Sequence, residues 1–183
     1  STTCFSYDSD PETFITELVK DANETLSDKN VSKDDKNKKI ASIALGNVDI
    51  NALSLYTLGS IRKTLDQDTL NKYKKLFEKY FLKSLTSRLT DYSEKTFEVL
   101  SSVQKSETTT IVSSRIAKSS SQPEIKIDWR VYTKDPSKPL IRDLIVEGLS
   151  LAKTQKEEFA SILNSNNNDI NFLFVKLEEF INK

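Results

Sequence analysis

Apolar residues follow two different periods along the chain. Between residues 10 and 92 they recur every three or four positions, and the same spacing returns from residue 149 onward. This period predicts amphipathic helices. Between residues 97 and 146 apolar and polar residues alternate, which predicts half-buried strands. Because strands and helices occupy separate parts of the chain, the pattern predicts an α+β fold with long helices packed on one face of a twisted four-stranded antiparallel sheet.

Acidic residues mark the expected starts of several helices. Asp10 stands before Pro11, Asp49 stands before the third apolar helix pattern, and Asp169 stands before the last one. An aspartate in this position accepts a hydrogen bond from a free backbone N–H of the first turn. The charged residues 27–39 lie between the first two patterns. They are either a solvated connection or the exposed start of the second helix.

The longest predicted helix begins after Asp66 or Asp68 and runs to Tyr92. At ~1.5 Å per residue it spans roughly 35 Å, and its wide aromatic stripe can either fill a core or line a cavity. The helix before it contains Gly59. Glycine costs about 1 kcal/mol relative to alanine inside a helix. We therefore expect a second helix to cross closely at Gly59.

The alternating part of the chain divides into four predicted strands, at residues 97–103, 110–116, 125–131 and 140–146. The breaks between them are polar, as in an antiparallel meander of hairpins. The fourth strand changes directly into a helical pattern across the dipeptide 147–148, Glu-Gly, with Ser150 as the expected N-cap. The glycine gives the backbone the freedom to turn the helix back over the sheet.

Composition excludes several classes of function. The 183 residues suit one domain, 1–183, in which we expect residues 1–9 to form a loose N-terminus. The 27 basic and 27 acidic residues cancel, so net charge gives no general attraction to nucleic acid or to an anionic membrane surface. Histidine is absent, which removes serine–histidine catalysis and the usual zinc and haem ligands. Cys4 is the only cysteine, and the three glycines form no phosphate-binding loop. We therefore predict no metal and no cofactor.

Asp143 and Glu147 are the only pair of carboxylates that the sequence singles out. Four residues apart on a strand, their side chains would project to the same face. A general acid–base pair would also need burial and a substrate between the two groups. The simpler interpretation is that one of them caps the turn or pairs with Arg142 or a lysine. We predict no catalytic residues.

Four segments resemble the MlaC family, the toluene-tolerance auxiliary components of lipid ABC transporters. The first is DLIVEGLS at 143–150, which is similar to the family signature D-x-x-x-E-G-V-S. YTLGSIR at 56–62 and IDWR at 127–130 resemble two further family segments. The long helix, 67–92, has aromatic and leucine residues at the places where the family has them: Tyr73, Phe77, Tyr80, Phe81, Leu89 and Tyr92.

The resemblance implies a periplasmic phospholipid carrier whose signal peptide has been removed. Such proteins shuttle a phospholipid between an outer-membrane lipoprotein–porin complex and an inner-membrane ABC transporter with MCE-domain rings, which maintains outer-membrane lipid asymmetry. From the order of strands and helices we also expect an NTF2-like cone with an apolar cavity. The residues themselves lead us to expect no enzymatic activity and no nucleic-acid partner, and we expect a monomer.

A pocket between the long helix and the concave face of the sheet is our hypothesis for the lipid site. It rests on which faces are apolar. The predicted wall consists of Phe77, Phe81, Leu85, Ile127, Trp129, Val131, Ile145 and Leu149. Two alternatives stay open: an NTF2-like isomerase or dehydratase that uses a buried aspartate with a tyrosine, and a non-enzymatic interaction module with a fully packed core.

Overall fold

The computed structural model describes residues 6–89 and 95–183. In these two ranges the chain forms six α-helices and one five-stranded sheet, so the predicted α+β class is confirmed. The helices are α1 (Pro11–Ser27), α2 (Lys33–Asn47), α3 (Ile50–Leu58), α4 (Gln67–Leu89), α5 (Leu151–Asn164) and α6 (Ile170–Ile181). The strands are β1 (Phe97–Ser106), β2 (Thr109–Ile116), β3 (Ile125–Tyr132), β4 (Leu140–Val146) and β5 (Leu149–Ser150).

The predicted helix caps are confirmed. Asp10, Asp49 and Asp169 each precede a helix and accept a backbone N–H of its first turn. Of the two candidates before α4, Asp66 accepts the N–H of Thr69 at 2.7 Å. This bond holds the pKa of the Asp66 carboxyl below its usual value. The predicted helix end at Tyr92 and the single cysteine, Cys4, lie outside the described residues.

The prediction that Gly59 lies inside a helix is wrong. Gly59 follows α3 and begins a short 3₁₀ helix, Gly59–Lys63. Its φ of 64° and ψ of −145° belong to a region that almost only glycine adopts. The backbone conformation, together with the Lys156 side chain packed against it, explains the glycine.

The sheet is an open antiparallel meander in the order β1-β2-β3-β4-β5. The four predicted strands are present, but the predicted number of strands is wrong by one. The fifth, β5, has only two residues and pairs with the end of β4. A segment this short shows no alternation, so the sequence pattern could not reveal it.

A β-bulge in β4 decides which of its side chains share the apolar face of the sheet. Ile141 lies opposite Val131, whereas Leu144 lies opposite Trp129 because the register shifts between these pairs. An inserted residue moves the following side chains to the other face. Leu144 and Val146 therefore lie on the face of Trp129, and Ile145 lies on the opposite face beside Asp128.

Two separate hydrophobic cores hold the molecule together. The helical core joins α3, α4, α5 and α6, and its buried members include Tyr73, Phe77, Phe159 and Leu173. The α1–sheet core contains Phe14, Ile15, Leu18, Val112, Val131 and Ile141. Val48, between α2 and α3, packs against both cores. Within the described ranges, no helix has the length and apolar composition needed to cross a membrane.

Candidate functional site

Several apolar side chains on the sheet are partly buried but belong to neither core. On the face of Trp129 they are Ile125, Ile127, Leu144 and Val146. Apolar side chains on the inner face of a sheet are normally covered by the packed core. These four residues therefore form an apolar surface that the two cores leave incompletely covered.

The C-terminal half of α4 carries a matching set. Leu82, Leu85 and Leu89 are partly buried and also lie outside both cores. The N-terminal half of the same helix is different, because Tyr73 and Phe77 are buried in the helical core. Together with the four sheet residues, these three leucines are called the unpacked wall below.

The eight residues predicted to line a pocket are distributed over five environments. Phe77 and Val131 are buried inside the two cores, at 3% and 0% exposure. Phe81 and Trp129 pack against the margins of these cores. Leu85 and Ile127 belong to the unpacked wall.

The last two predicted residues lie elsewhere. Ile145 is partly buried on the opposite face of the sheet from Trp129. Leu149 is 59% exposed next to the hairpin between β4 and β5. The bulge explains the misplacement of Ile145, because strict alternation from Ile141 would have put it on the inner face. The same bulge brings Leu144 and Val146 to that face, where the sequence pattern did not indicate them.

Trp129 is fixed in position by a buried serine. Its Nε1–H donates to Ser114 Oγ at 2.9 Å, and the Ser114 hydroxyl donates to the carbonyl oxygen of Ile127 at 2.6 Å. Phe97 meets the indole edge-on, with 6.0 Å between ring centroids. A buried indole N–H needs such a partner. The apolar rim of the α1–sheet core is therefore held rigidly next to Ile127.

Tyr80 lies between the helical core and the unpacked part of α4. Its ring contacts Phe159 and Phe180, with centroid distances of 5.7 and 4.9 Å. Its hydroxyl donates to Gln155 Oε1 at 2.8 Å. Burial, together with the negative charge of Glu158, raises the pKa of Tyr80. The phenol thus remains neutral at ordinary pH and fastens α4 to α5.

Asp143 and Glu147 bind different parts of the backbone. Asp143 is buried and accepts the hydroxyl of Ser150 and the N–H of Ala152 at the start of α5. Glu147 lies in the hairpin turn with φ of 49°, and its carboxylate accepts the N–H of Lys126 at 2.6 Å. Each carboxylate therefore accepts a backbone N–H and holds that part of the backbone in place.

In residues 6–89 and 95–183 no three histidine, cysteine, aspartate or glutamate side chains come together as a metal site would require. What the arrangement provides is two apolar surfaces, one on α4 and one on the sheet, that are not packed into either core.

The profile of the MlaC protein family matches residues 12–179. The chain belongs to the MlaC family. This match contains all four segments on which the resemblance rests. In the structure, the segment 143–150 contains the end of β4 and the hairpin and cap that join it to α5.

A solved structure has the same fold as this chain. It is the phospholipid-binding protein from Ralstonia solanacearum, determined in complex with a phospholipid. The two structures superpose with a TM-score of 0.74 at 17% sequence identity, over 91% of this chain and 94% of the other. Sequence comparison with curated proteins finds no significant match.

Proposed function

We propose that this MlaC-family chain carries a phospholipid. Its acyl chains lie between the two parts of the unpacked wall, the four sheet residues and the three leucines of α4. The observation that carries the proposal is the presence of two partly buried apolar sets outside both cores. The Ralstonia protein supports it, because that protein has the same fold and was determined with a phospholipid bound.

The energetics of transfer favour an enclosed site. Two acyl chains contain roughly thirty methylene groups, and each contributes about 0.8 kcal/mol when it leaves water. An exposed patch could not hold them through an aqueous compartment, whereas an apolar space between a helix and a sheet can. The headgroup stays in water and needs little specific recognition. Because spontaneous release is so costly, delivery requires a partner that opens the site or competes for the lipid.

The carrier role fits the partners and place expected for the family. We propose that the chain works in the periplasm, between an outer-membrane lipoprotein–porin complex and an inner-membrane MCE-domain ABC transporter. We further propose that the sheet curves around the lipid as an NTF2-like cone. The open meander and the bulge in β4 support this shape, because bulges bend and twist a sheet.

Native mass spectrometry of the purified protein, followed by organic extraction, tests lipid binding directly. We expect one phospholipid per chain, and lipid analysis of the extract reports the number of acyl chains. A lipid-free mass that stays unchanged after incubation with phospholipid vesicles would refute the proposal. It would favour an interaction module with a packed core.

Charge substitutions locate the site. Leu85→Asp on α4 and Ile127→Glu on β3 should each abolish phospholipid retention, because a carboxylate cannot be buried against acyl chains without several kcal/mol of cost. Leu45→Asp and Val103→Glu are the matched controls, since these residues are 48% and 53% exposed. Circular dichroism confirms that each variant is folded. Equal lipid content in all four folded variants would show that the lipid lies elsewhere.

A further inference from the structure

Helix α4 has a strongly basic outer surface although the chain as a whole is neutral. Its 23 residues include six lysines and arginines but only Asp68 and Glu78 as acidic residues. Lys72, Lys75 and Lys79 follow one another at intervals of three and four, which puts them on one side of the helix. All three are exposed, whereas Tyr73 and Phe77 of the same helix are buried in the helical core.

The three ammonium groups have no ionic partner in the described part of the chain. No carboxylate there lies within ion-pairing distance of Lys72, Lys75 or Lys79. Lys72 Nζ instead lies 4.8 Å from the ring centroid of Phe174 on α6. The three lysines border a shallow depression of about 410 Å³ that is also lined by Asn71, Leu76 and one carboxylate, Asp68. Their charge is therefore available to an anionic partner.

Apolar side chains are exposed on the helix packed beside α4. Phe172 and Val175 on α6 are each 50% exposed, and their spacing of three puts them on one side of that helix. Lysines on one helix and exposed apolar side chains on the helix packed against it are a combination typical of surfaces that rest on a lipid headgroup layer. The combination also suits a lipid carrier, which must approach a membrane or a membrane-bound partner.

We propose that Lys72, Lys75 and Lys79 form a docking surface for the anionic headgroups of a phospholipid bilayer. The residue types favour a bilayer over an acidic protein. Lysine is depleted in protein–protein interfaces, which are enriched in arginine, tyrosine and tryptophan, and none of those lies in this lysine row. Lysine is a flexible point charge that suits phosphates in variable positions, whereas arginine suits fixed carboxylates. This docking surface is distinct from the unpacked wall and does not depend on its occupancy.

Vesicle co-sedimentation at low ionic strength tests the proposal. We expect the wild-type chain to bind vesicles of phosphatidylcholine with about one third phosphatidylglycerol, and to bind pure phosphatidylcholine vesicles far less. Added salt should release the protein from the anionic vesicles, because the attraction acts between exposed charges. Equal binding to both vesicle types would overturn the proposal. Absence of binding to either type would also overturn it and would leave an acidic protein as the partner of α4.

Lysine substitutions assign the effect to α4. Each lysine near an anionic surface strengthens binding about fivefold, so Lys72→Gln/Lys75→Gln/Lys79→Gln should weaken it about a hundredfold. Lys29, Lys33 and Lys38 lie on and before α2, and their replacement by glutamine changes the net charge equally. That control should bind almost as tightly as the wild type. If both triple variants weaken binding equally, net charge alone acts and the docking surface is refuted.

Two further measurements separate this inference from the proposed function and from misfolding. Lipid extracted from the α4 variant should equal that of the wild type, because its three lysines lie outside the unpacked wall. Loss of vesicle binding with normal lipid content identifies the docking surface, whereas loss of lipid content would refute its independence from the lipid site. A second variant, Lys75→Gln/Lys79→Gln, keeps the contact between Lys72 and Phe174 and should still weaken binding about 25-fold.

Discussion

Asp143 and Ser150 form one capping unit between strand β4 and helix α5. The Ser150 hydroxyl donates to Asp143 Oδ2 at 2.5 Å, and Ser150 Oγ accepts the N–H of Lys153 at 3.0 Å. Asp143 Oδ1 accepts the N–H of Ala152, also at 3.0 Å. Two free N–H groups of the first turn are thus bound by side chains from residues seven apart in sequence. The carboxylate also lies at the positive end of the helix dipole.

Replacing Asp143 by alanine should lower the free energy of unfolding by about 1–3 kcal/mol, because the Ala152 N–H and the Ser150 hydroxyl would lose a buried acceptor. Ser150→Ala should cost about 1 kcal/mol. The double variant should lose less than the sum, since both residues act in one network. Urea denaturation measures all three values.

Asp135→Ala is the control for this prediction. Asp135 is an exposed loop aspartate that binds Ser137, so its replacement should leave the free energy of unfolding almost unchanged. An Asp143→Ala chain with wild-type stability but without bound phospholipid would contradict the structural role and would place Asp143 in the lipid site.

The segment that joins β4 to α5 shows what can be predicted from sequence. The Ser150 cap, the strand before it and the helix after it follow from residue type and period. The bulge at Arg142 cannot be predicted in this way, because it depends on the register against β3. As a consequence, the alternation puts Ile145 on the wrong face and does not indicate Leu144 and Val146.

The candidate site is only partly predictable for a related reason. The spacing of apolar residues identifies which face of α4 is apolar. It does not distinguish residues that fill a core from residues that lie outside it. Phe77 and Leu85 both fit the apolar pattern of α4, yet Phe77 is buried in the helical core and Leu85 lies in the unpacked wall. That difference is decided by which elements pack against each half of the helix, which is tertiary information.

Gly46 and Gly59 should respond in opposite directions to alanine. Gly46 lies in α2, and a Cβ there would meet no atom within 4 Å, so Gly46→Ala should raise the free energy of unfolding by up to about 1 kcal/mol. Gly59 has φ of 64°, and a Cβ there would lie 3.3 Å from Lys156 Cε. Gly59→Ala should therefore lower the stability by about 1–3 kcal/mol. Thermal unfolding measures the stability of both variants relative to the wild type. A Gly59→Ala variant that is more stable than the wild type would contradict the backbone strain expected for alanine at this position.

Tyr73 should make the protein less stable in alkali. It is fully buried, with its hydroxyl oxygen 2.6 Å from Thr57 Oγ1, and burial raises its pKa above the usual 10.0. Above about pH 10 the unfolded chain ionises this phenol while the folded chain keeps it neutral. The contribution of the buried, neutral Tyr73 phenol to the free energy of unfolding is therefore complete below about pH 10. As the pH rises from there toward the folded-state pKa, the free energy of unfolding falls by up to about 1.4 kcal/mol per pH unit.

Urea denaturation between neutral pH and the alkaline range tests this dependence. Tyr73→Phe should make the alkaline decline in stability less steep, because the ionising group is gone. Tyr56→Phe is the control, since Tyr56 is 40% exposed, and it should leave the slope unchanged. Identical slopes for the wild type and Tyr73→Phe would show that other groups cause the alkaline loss.

Trp129 should report the presence of the phospholipid by fluorescence. It is the only tryptophan in the chain, and it lies on the face of the sheet that carries Ile127 and Leu144. Acyl chains against this face would exclude water from the indole, whereas removal of the lipid would admit it. Emission should therefore shift to longer wavelength when the lipid is extracted and return when vesicles reload the protein. The bond from Nε1 to Ser114 keeps the indole in place, so the shift reflects the change in polarity.

A chain with its only indole moved to an exposed place on β1 provides the control. Trp129→Phe combined with Leu100→Trp achieves this, since Leu100 is 53% exposed. Its emission should not respond to lipid, although mass spectrometry should show the same lipid content. If wild-type emission stays constant while the measured content falls from one phospholipid to none, the acyl chains do not contact Trp129. The lipid would then have to lie against α4 without reaching this part of the sheet.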